Sequence, residues 1–369
     1  MKYKILFCVL PFMALGLNGA HASNSQLQQR VEVAFVLDTT GSMGDLIDGA
    51  KRKIWSIASS IVDTNPNADV AMALVAYRDR GDDYVLKSTP LSSDVQGLYG
   101  KLVKLEANGG GDTPESVNEA LDKAISGLQW TSGDNVKHIV FLVGDAPPHM
   151  DYSQERRYPQ ILKIASEKHI VVNAVQAGDM LETTPIWKEI AQFGHGRYIA
   201  IPQNGGEVVV VITPFDTDIL HMQEELDGSI VPYGNIEQKT EVHRRMAEKA
   251  EAPASVKIDN SSFYSKRKIA REVITGGGDL VADAANGAAD LDKIAESELP
   301  SDLKAIPAPQ RRVWLDEKLK SRQGLEDKMA ALIAKRDAYV MLQNKKKVAT
   351  ASGDSFDKAV EETLRSQLN

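Results

Sequence analysis

A chain of 369 residues, 43% hydrophobic and 25% charged, has the composition of a globular protein with a substantial core, and its length suggests about two domains. Its net charge of −8 argues against nucleic acid or an anionic membrane surface as the main partner. One cysteine in the whole chain excludes a disulfide-stapled scaffold.

The N-terminus has the layout of an export signal. Lys2 and Lys4 precede an apolar run from Ile5 to Leu17, and Ala20-His21-Ala22 follows as a small-residue cleavage pattern. This predicts a signal peptide over 1–22, with Ser23 as the first mature residue. The 13-residue run is too short to span a bilayer comfortably, and no later stretch reaches 18 apolar residues. Cys8 leaves with the leader. Without Lys2 and Lys4, 41 basic side chains face 51 acidic ones, a net charge of −10. The expectation is an exported bacterial protein, periplasmic or secreted, with no transmembrane segment after cleavage.

Strand-like segments follow at 31–37, 69–77, 136–143, 170–176 and 197–201, short, rich in Val and Ile, and bounded by Asp, Gly or Pro. Helical patterns at 43–63, 92–106, 114–128, 154–168 and 184–194 alternate with them. That alternation predicts an α/β fold with a mostly parallel sheet covered by helices on both faces. Tyr84, Val85 and Leu86, after Asp82 and Asp83, suggest one further edge strand. The valines and "FDTDILHMQEEL" within 205–226 suggest a closing helix, which sets a first domain at 30–230. The remainder, 231–369, is polar and helix-prone, with a long helical pattern at 311–345 in which Leu315, Leu319, Leu325, Met329, Leu332 and Ile333 recur at helix-like spacing. It packs on its own domain or forms a coiled-coil seam, through which the chain could homo-oligomerise.

In an open parallel sheet, ligands bind beyond the carboxyl ends of the strands. Three polar segments fall at that edge. Asp38 ends the first strand and leads into Thr40 and Ser42 in "DTTGS"; "GGGDTPES" (109–116) precedes a helix; and Asp145 in "FLVGDAPPH" ends the strand at 136–143. The first of these by itself could be a helix cap, a phosphate grip, a nucleophile turn or a metal site. Carboxylates and hydroxyls without His or Cys suit Mg²⁺, Mn²⁺ or Ca²⁺ rather than zinc. Gly41 allows a tight path between the two hydroxyls. Hydroxyls in place of further carboxylates leave such a cation under-neutralised, able to recruit an outside carboxylate.

"DTTGS" resembles the D-x-S/T-x-S motif of von Willebrand factor A-type domains, Thr113 resembles that family's second-loop threonine, and Asp145 its third-loop aspartate. The resemblance covers about residues 30–225. It implies a Rossmann-like fold and a metal-ion-dependent adhesion site in which Asp38, Thr40, Ser42, Thr113 and Asp145 hold Mg²⁺, directly or through water. It also implies a protein partner that offers a Glu or Asp carboxylate; that the chain is not an enzyme is expected because no complete catalytic set stands in the sequence. Thr40 stands where serine is commoner, which keeps the hydroxyl. Residues after about 232 resemble no family whose function can be carried over to them.

A haloacid dehalogenase-like phosphatase is the enzymatic alternative, but its general acid/base carboxylate would stand where Thr40 does. "TGSMG" lacks the G-x-S-x-G elbow of a serine hydrolase. A third reading is a structural or assembly subunit that acts mainly through 231–369. Other polar residues have plainer readings. Asp112 and Glu115 read as capping or structural residues, His149 as a loop or core histidine, and Tyr77 to Arg80 as a strand end with surface ion pairs. "GGGD" at 276–279 reads as a plain loop, and Asp279, Asp283, Asp290 and Asp292 as a solvated face.

Overall fold

The computed structural model describes residues 29–111, 113–204, 211–267, 277–347 and 356–368. Residues 1–22, expected as a signal peptide, Asp112 and residues 208–210 of the valine run lie outside the described residues.

Nine residues of apolar and β-branched chain, Arg30–Asp38, form the first strand, β1, and are buried from Val31 onward. A 3-10 turn at Gly41–Met43 leads into α1 (Gly44–Thr64). There follow β2 (Asp69–Tyr77), β3 (Leu86–Ser92), α2 (Val95–Leu102), α3 (Val117–Gly127), β4 (Val136–Gly144), α4 (Tyr158–Glu167), β5 (Ile170–Ala177), α5 (Thr183–Phe193) and β6 (His195–Ile201). The sheet order is β3-β2-β1-β4-β5-β6, and every pairing is parallel except that of β2 with β3. The expected α/β fold is present. The edge strand lies further along than expected: Tyr84 and Val85 precede it, and β3 carries Pro90, which an edge strand tolerates because one side of its ladder is unpaired.

Alternation along β1 divides the core. Val31, Val33, Phe35 and Leu37 face α1 and α2, while Ala34 and Val36 face α3, α4 and α5. Both faces are therefore apolar, as a central parallel strand requires.

Past residue 211 the described residues are mainly helical: α6 (Asp216–Gly228), α7 (Ile236–Glu251), α8 (Ala254–Lys266), α9 (Leu280–Ala285), α10 (Ser301–Lys304), α11 (Ala308–Lys347) and α12 (Phe356–Leu368). Among the described residues no helix is long and apolar enough to cross a membrane. α6 packs on α8 and α11. The first core draws on distant helices instead. Val256 and Phe263 of α8, with Val360, Leu364 and Leu368 of α12, join the cluster around α1. Trp55 of α1 meets Phe263 and Tyr264 at ring-centroid separations of 5.7 Å. At the sheet, Gln367 and Asn173 exchange amide hydrogen bonds of 2.8 and 3.2 Å. On α11, Leu315 packs with α9 and α10, and Met329 and Ile333 pack with α6 and α8, while Val313, Met341 and Leu342 of the same helix stay exposed.

Two expectations about acidic residues are corrected here. Asp279 is not part of a plain loop and Asp283 is not on a solvated face; both are buried. Asp279 accepts from the backbone N–H groups of Val231 and Val281 and pairs with the Arg322 guanidinium, which also donates to Ser229 Oγ at 2.9 Å. Gly278 N–H donates to Asp283. Asp290 and Asp292 stay exposed. Arg322→Ala would leave Asp279 buried without its counter-charge, and is expected to cost about 3–5 kcal/mol, read as a lower urea midpoint.

Candidate metal centre

Sheet order sets the place of the site. β1 continues to β2 on one side and pairs with β4 on the other, so the crevice at their carboxyl ends is a topological switch point. Asp38 ends β1 opposite Tyr77 of β2, and Asp145 follows directly on β4. Gly144 lets them approach: a side chain there would meet the Tyr77 hydroxyl at 2.4 Å and Asp38 Oδ2 at 3.1 Å.

The "DTTGS" turn does not cap a helix. Thr40 precedes the 3-10 turn without a side-chain capping bond, and so does Met43 before α1. Instead the Thr40 N–H and hydroxyl both donate to Asp38 Oδ1, at 2.8 and 2.7 Å, and Ser42 Oγ lies 3.3 Å from Thr40 Oγ1. Gly41 has no left-handed backbone; its missing side chain lets its N–H reach Gly109 O at 3.2 Å, which ties the turn to the second loop. Asn108 N–H donates to Thr39 O, and Gly110 N–H to Asp82, in the same lacing.

Charge is concentrated and unbalanced. Asp38 is fully buried, and apart from the neighbouring Tyr77 hydroxyl its Oδ2 has no hydrogen-bond partner. Burial pushes its carboxyl up to about 7, with Asp145 adding to the rise and the bonds from Thr40 opposing it. Glu115 is 4% exposed, with Oε2 likewise unpartnered. Burial, then Asp38, Asp79, Asp82 and Asp145, push it up to about 9. Burial, then the carboxylates of Asp38, Asp145 and Glu115, raise Tyr77, whose hydroxyl has only Asp38 beside it. Among the described residues no Lys or Arg is paired with Asp38, Glu115 or Asp145. Buried like charges with open oxygens make a setting that a hard cation relieves. The donor set fits one: carboxylate and hydroxyl oxygens at one edge, with an orphaned carboxylate oxygen among them.

Of the five residues expected from sequence, Asp38, Thr40, Ser42 and Asp145 come together. Thr113 lies exposed on the loop before Glu115, and its hydroxyl bonds to none of the other four. Glu115, read as a capping residue, instead buries its carboxylate beside the site. Its N–H donates to Pro147 O and its carbonyl accepts from His149 N–H, so it is fixed to the loop that carries Asp145. His149 is a buried brace, with Nδ1 2.8 Å from Asp151 and Nε2 3.3 Å from Asp79, its ring stacked on Tyr152 at 4.1 Å. Of the strand end expected to form surface ion pairs, Arg80 does so with Glu119 and Glu155, whereas Tyr77, Arg78 and Asp79 are buried, Arg78 still reaching the exposed Asp83 at 3.6 Å. Arg78 donates to Thr39 O and Glu106 O, and Asp79 accepts from Ser116 Oγ. Sequence reasoning missed Gln203, whose amide reaches Asp145. Its place just past β6, at the same sheet edge, was the available signal.

Residues 32–213 match the sequence profile of the von Willebrand factor A domain. Over 124 residues, a third of this chain, the sequence is 33% identical to an ariadne-like RING finger protein of Acanthamoeba polyphaga mimivirus, of which that covers 12%. Over 93 residues it is 38% identical to von Willebrand factor A domain-containing protein 7 of Rattus norvegicus, of which that covers 10%. The chain thus spans only about a tenth of these relatives' length. The pilus adhesin SpaC of Lactobacillus rhamnosus GG overlaps 48% of this chain and 29% of its own, at 15% identity and a TM-score of 0.37. Residues 32–213 of this chain are a von Willebrand factor A domain, a module of a family built for protein interaction and adhesion.

Proposed function

We propose that this domain binds a divalent cation, Mg²⁺ or its relatives Mn²⁺ and Ca²⁺, and through it captures a Glu or Asp carboxylate of a protein partner. The observation that carries this reading is the buried Asp38 Oδ2, with no partner but the Tyr77 hydroxyl, set beside Asp145 and Glu115, which no Lys or Arg among the described residues pairs. Asp38, Asp145 and the hydroxyls of Thr40 and Ser42 would hold the ion, and Thr113 would join through a water. A bound ion supplies a positive charge that a partner's acid completes. Two protein carboxylates in that set leave the ion electrophilic, while the bond of Thr40 to Asp38 and the contact of Ser42 with Thr40 keep the two hydroxyl oxygens on one side.

The reading is of a binding module, not an enzyme. Thr40, at the position where a phosphatase would need its second carboxylate, is bonded to Asp38 and titrates far above neutrality. We further propose that the mature chain works outside the cytoplasm, after removal of residues 1–22.

Capture from a cell-envelope extract tests the function. The mature full-length protein is expected to retain its partner in Mg²⁺ and to lose it in EDTA or as Asp38→Ala. Recovery indifferent to all three conditions refutes the proposal, and phosphatase activity abolished by Asp38→Ala would favour the enzymatic alternative.

A further inference from the structure

Gln203 stands two residues past the end of β6, on an exposed stretch after Pro202. Its amide nitrogen nevertheless donates to Asp145 Oδ2 at 2.7 Å and to Ser42 O at 3.2 Å. Asp145 lies at the end of β4, two strands away across β5, a span of roughly 10 Å at the usual strand spacing. The side chain crosses the end of β5 at Gly178, whose φ is +72° and where any Cβ would stand 2.2 Å from Gln203 Oε1. That glycine clears the path.

We propose that Gln203 is a positioning residue of the cation site: it holds Asp145 by one oxygen, leaving Oδ1 to face the ion, and pins the Ser42 turn to the Asp145 loop. The inference rests on the cation-binding reading above. Its chemistry is specific. A Lys or Arg in this place would neutralise Asp145 and compete with the ion, whereas a neutral amide orients the carboxylate and leaves its charge available. One donor group bonded to both loops also fixes their separation before the ion arrives, so less ordering remains to be done on binding.

Calorimetric titration of MgCl₂ and MnCl₂ into the chelator-stripped, full-length mature protein tests this. Gln203→Met, which keeps length and bulk but removes the donor, is expected to weaken cation affinity by about 10–100-fold. Because Gln203 is exposed, the cation-free melting temperature should not move, which separates positioning from a general structural role. Gly178→Ala, whose added Cβ would displace the Gln203 amide, should also weaken affinity. Affinity lost in Asp38→Ala but within twofold of wild type in Gln203→Met overturns this inference alone. Binding that survives Asp38→Ala overturns the site and this inference with it.

Discussion

Asp38→Asn is expected to make the cation-free protein more stable above neutral pH and to erase its response to Mg²⁺. In the folded chain the Asp38 carboxyl is raised from an ordinary value of 3.8 to about 7. An acid raised by folding favours the fold while protonated. Its contribution is complete below pH ~4, is lost progressively as the pH climbs through ~7, and amounts to on the order of 4 kcal/mol between those limits. Melting curves in EDTA should therefore show wild type falling behind Asp38→Asn across that window. Mg²⁺ should restore the wild type above pH ~7, where the site can deprotonate without leaving a bare buried charge, and should do nothing for the variant. Parallel curves for the two proteins, with and without Mg²⁺, would show that Asp38 is an ordinary buried acid.

Truncation after Lys347 is expected to cost more than any surface change. It removes α12, whose Val360, Leu364 and Leu368 are buried against α1 and the sheet. At about 1.5–3 kcal/mol for each buried side chain, the loss is on the order of 5 kcal/mol, a large share of a typical domain's stability. Asn173, in the middle of β5 and fully buried, would also lose its amide partner Gln367. Urea unfolding reads the effect as a lower midpoint. Leu364→Ala, at about 2–5 kcal/mol, gives the same test if the truncated chain is insoluble. An unchanged midpoint in both would mean that α12 is dispensable to the domain. By this account a fragment ending near residue 230 lacks the helices, α8 and α12, that close the face around α1.

What sequence could and could not reveal divides along physical lines. β1, β2, β4 and β5 were legible because buried parallel strands are continuous Val- and Ile-rich runs. Asp38 and Asp145 were legible because their chemistry changes abruptly at strand ends. β3 was misplaced because "LKSTPLS" is a polar edge strand whose register is set by its partner β2. The burial of Arg78, Asp79 and Asp279 escaped notice because charged residues read as surface until their partners are known. Thr39 O, Ser116 and Arg322 lie 39, 37 and 43 residues away. The docking of α12 on α1 has the same origin: an amphipathic helix declares that it has a face to bury, and not which surface will cover it. Gln203 offers only its place just past β6 at the same sheet edge, and a neutral amide there becomes meaningful only once Asp145 is found beside it.

The central claim is that the buried carboxylates at this sheet edge hold a divalent cation. Calorimetric titration of Mg²⁺ into the chelator-stripped mature protein, beside Asp38→Ala, tests it most directly. The account predicts saturable binding of one ion per chain, accompanied by proton release near pH 7 and abolished in the variant. No saturable heat at millimolar Mg²⁺ or Mn²⁺, or binding identical in wild type and Asp38→Ala, would contradict it.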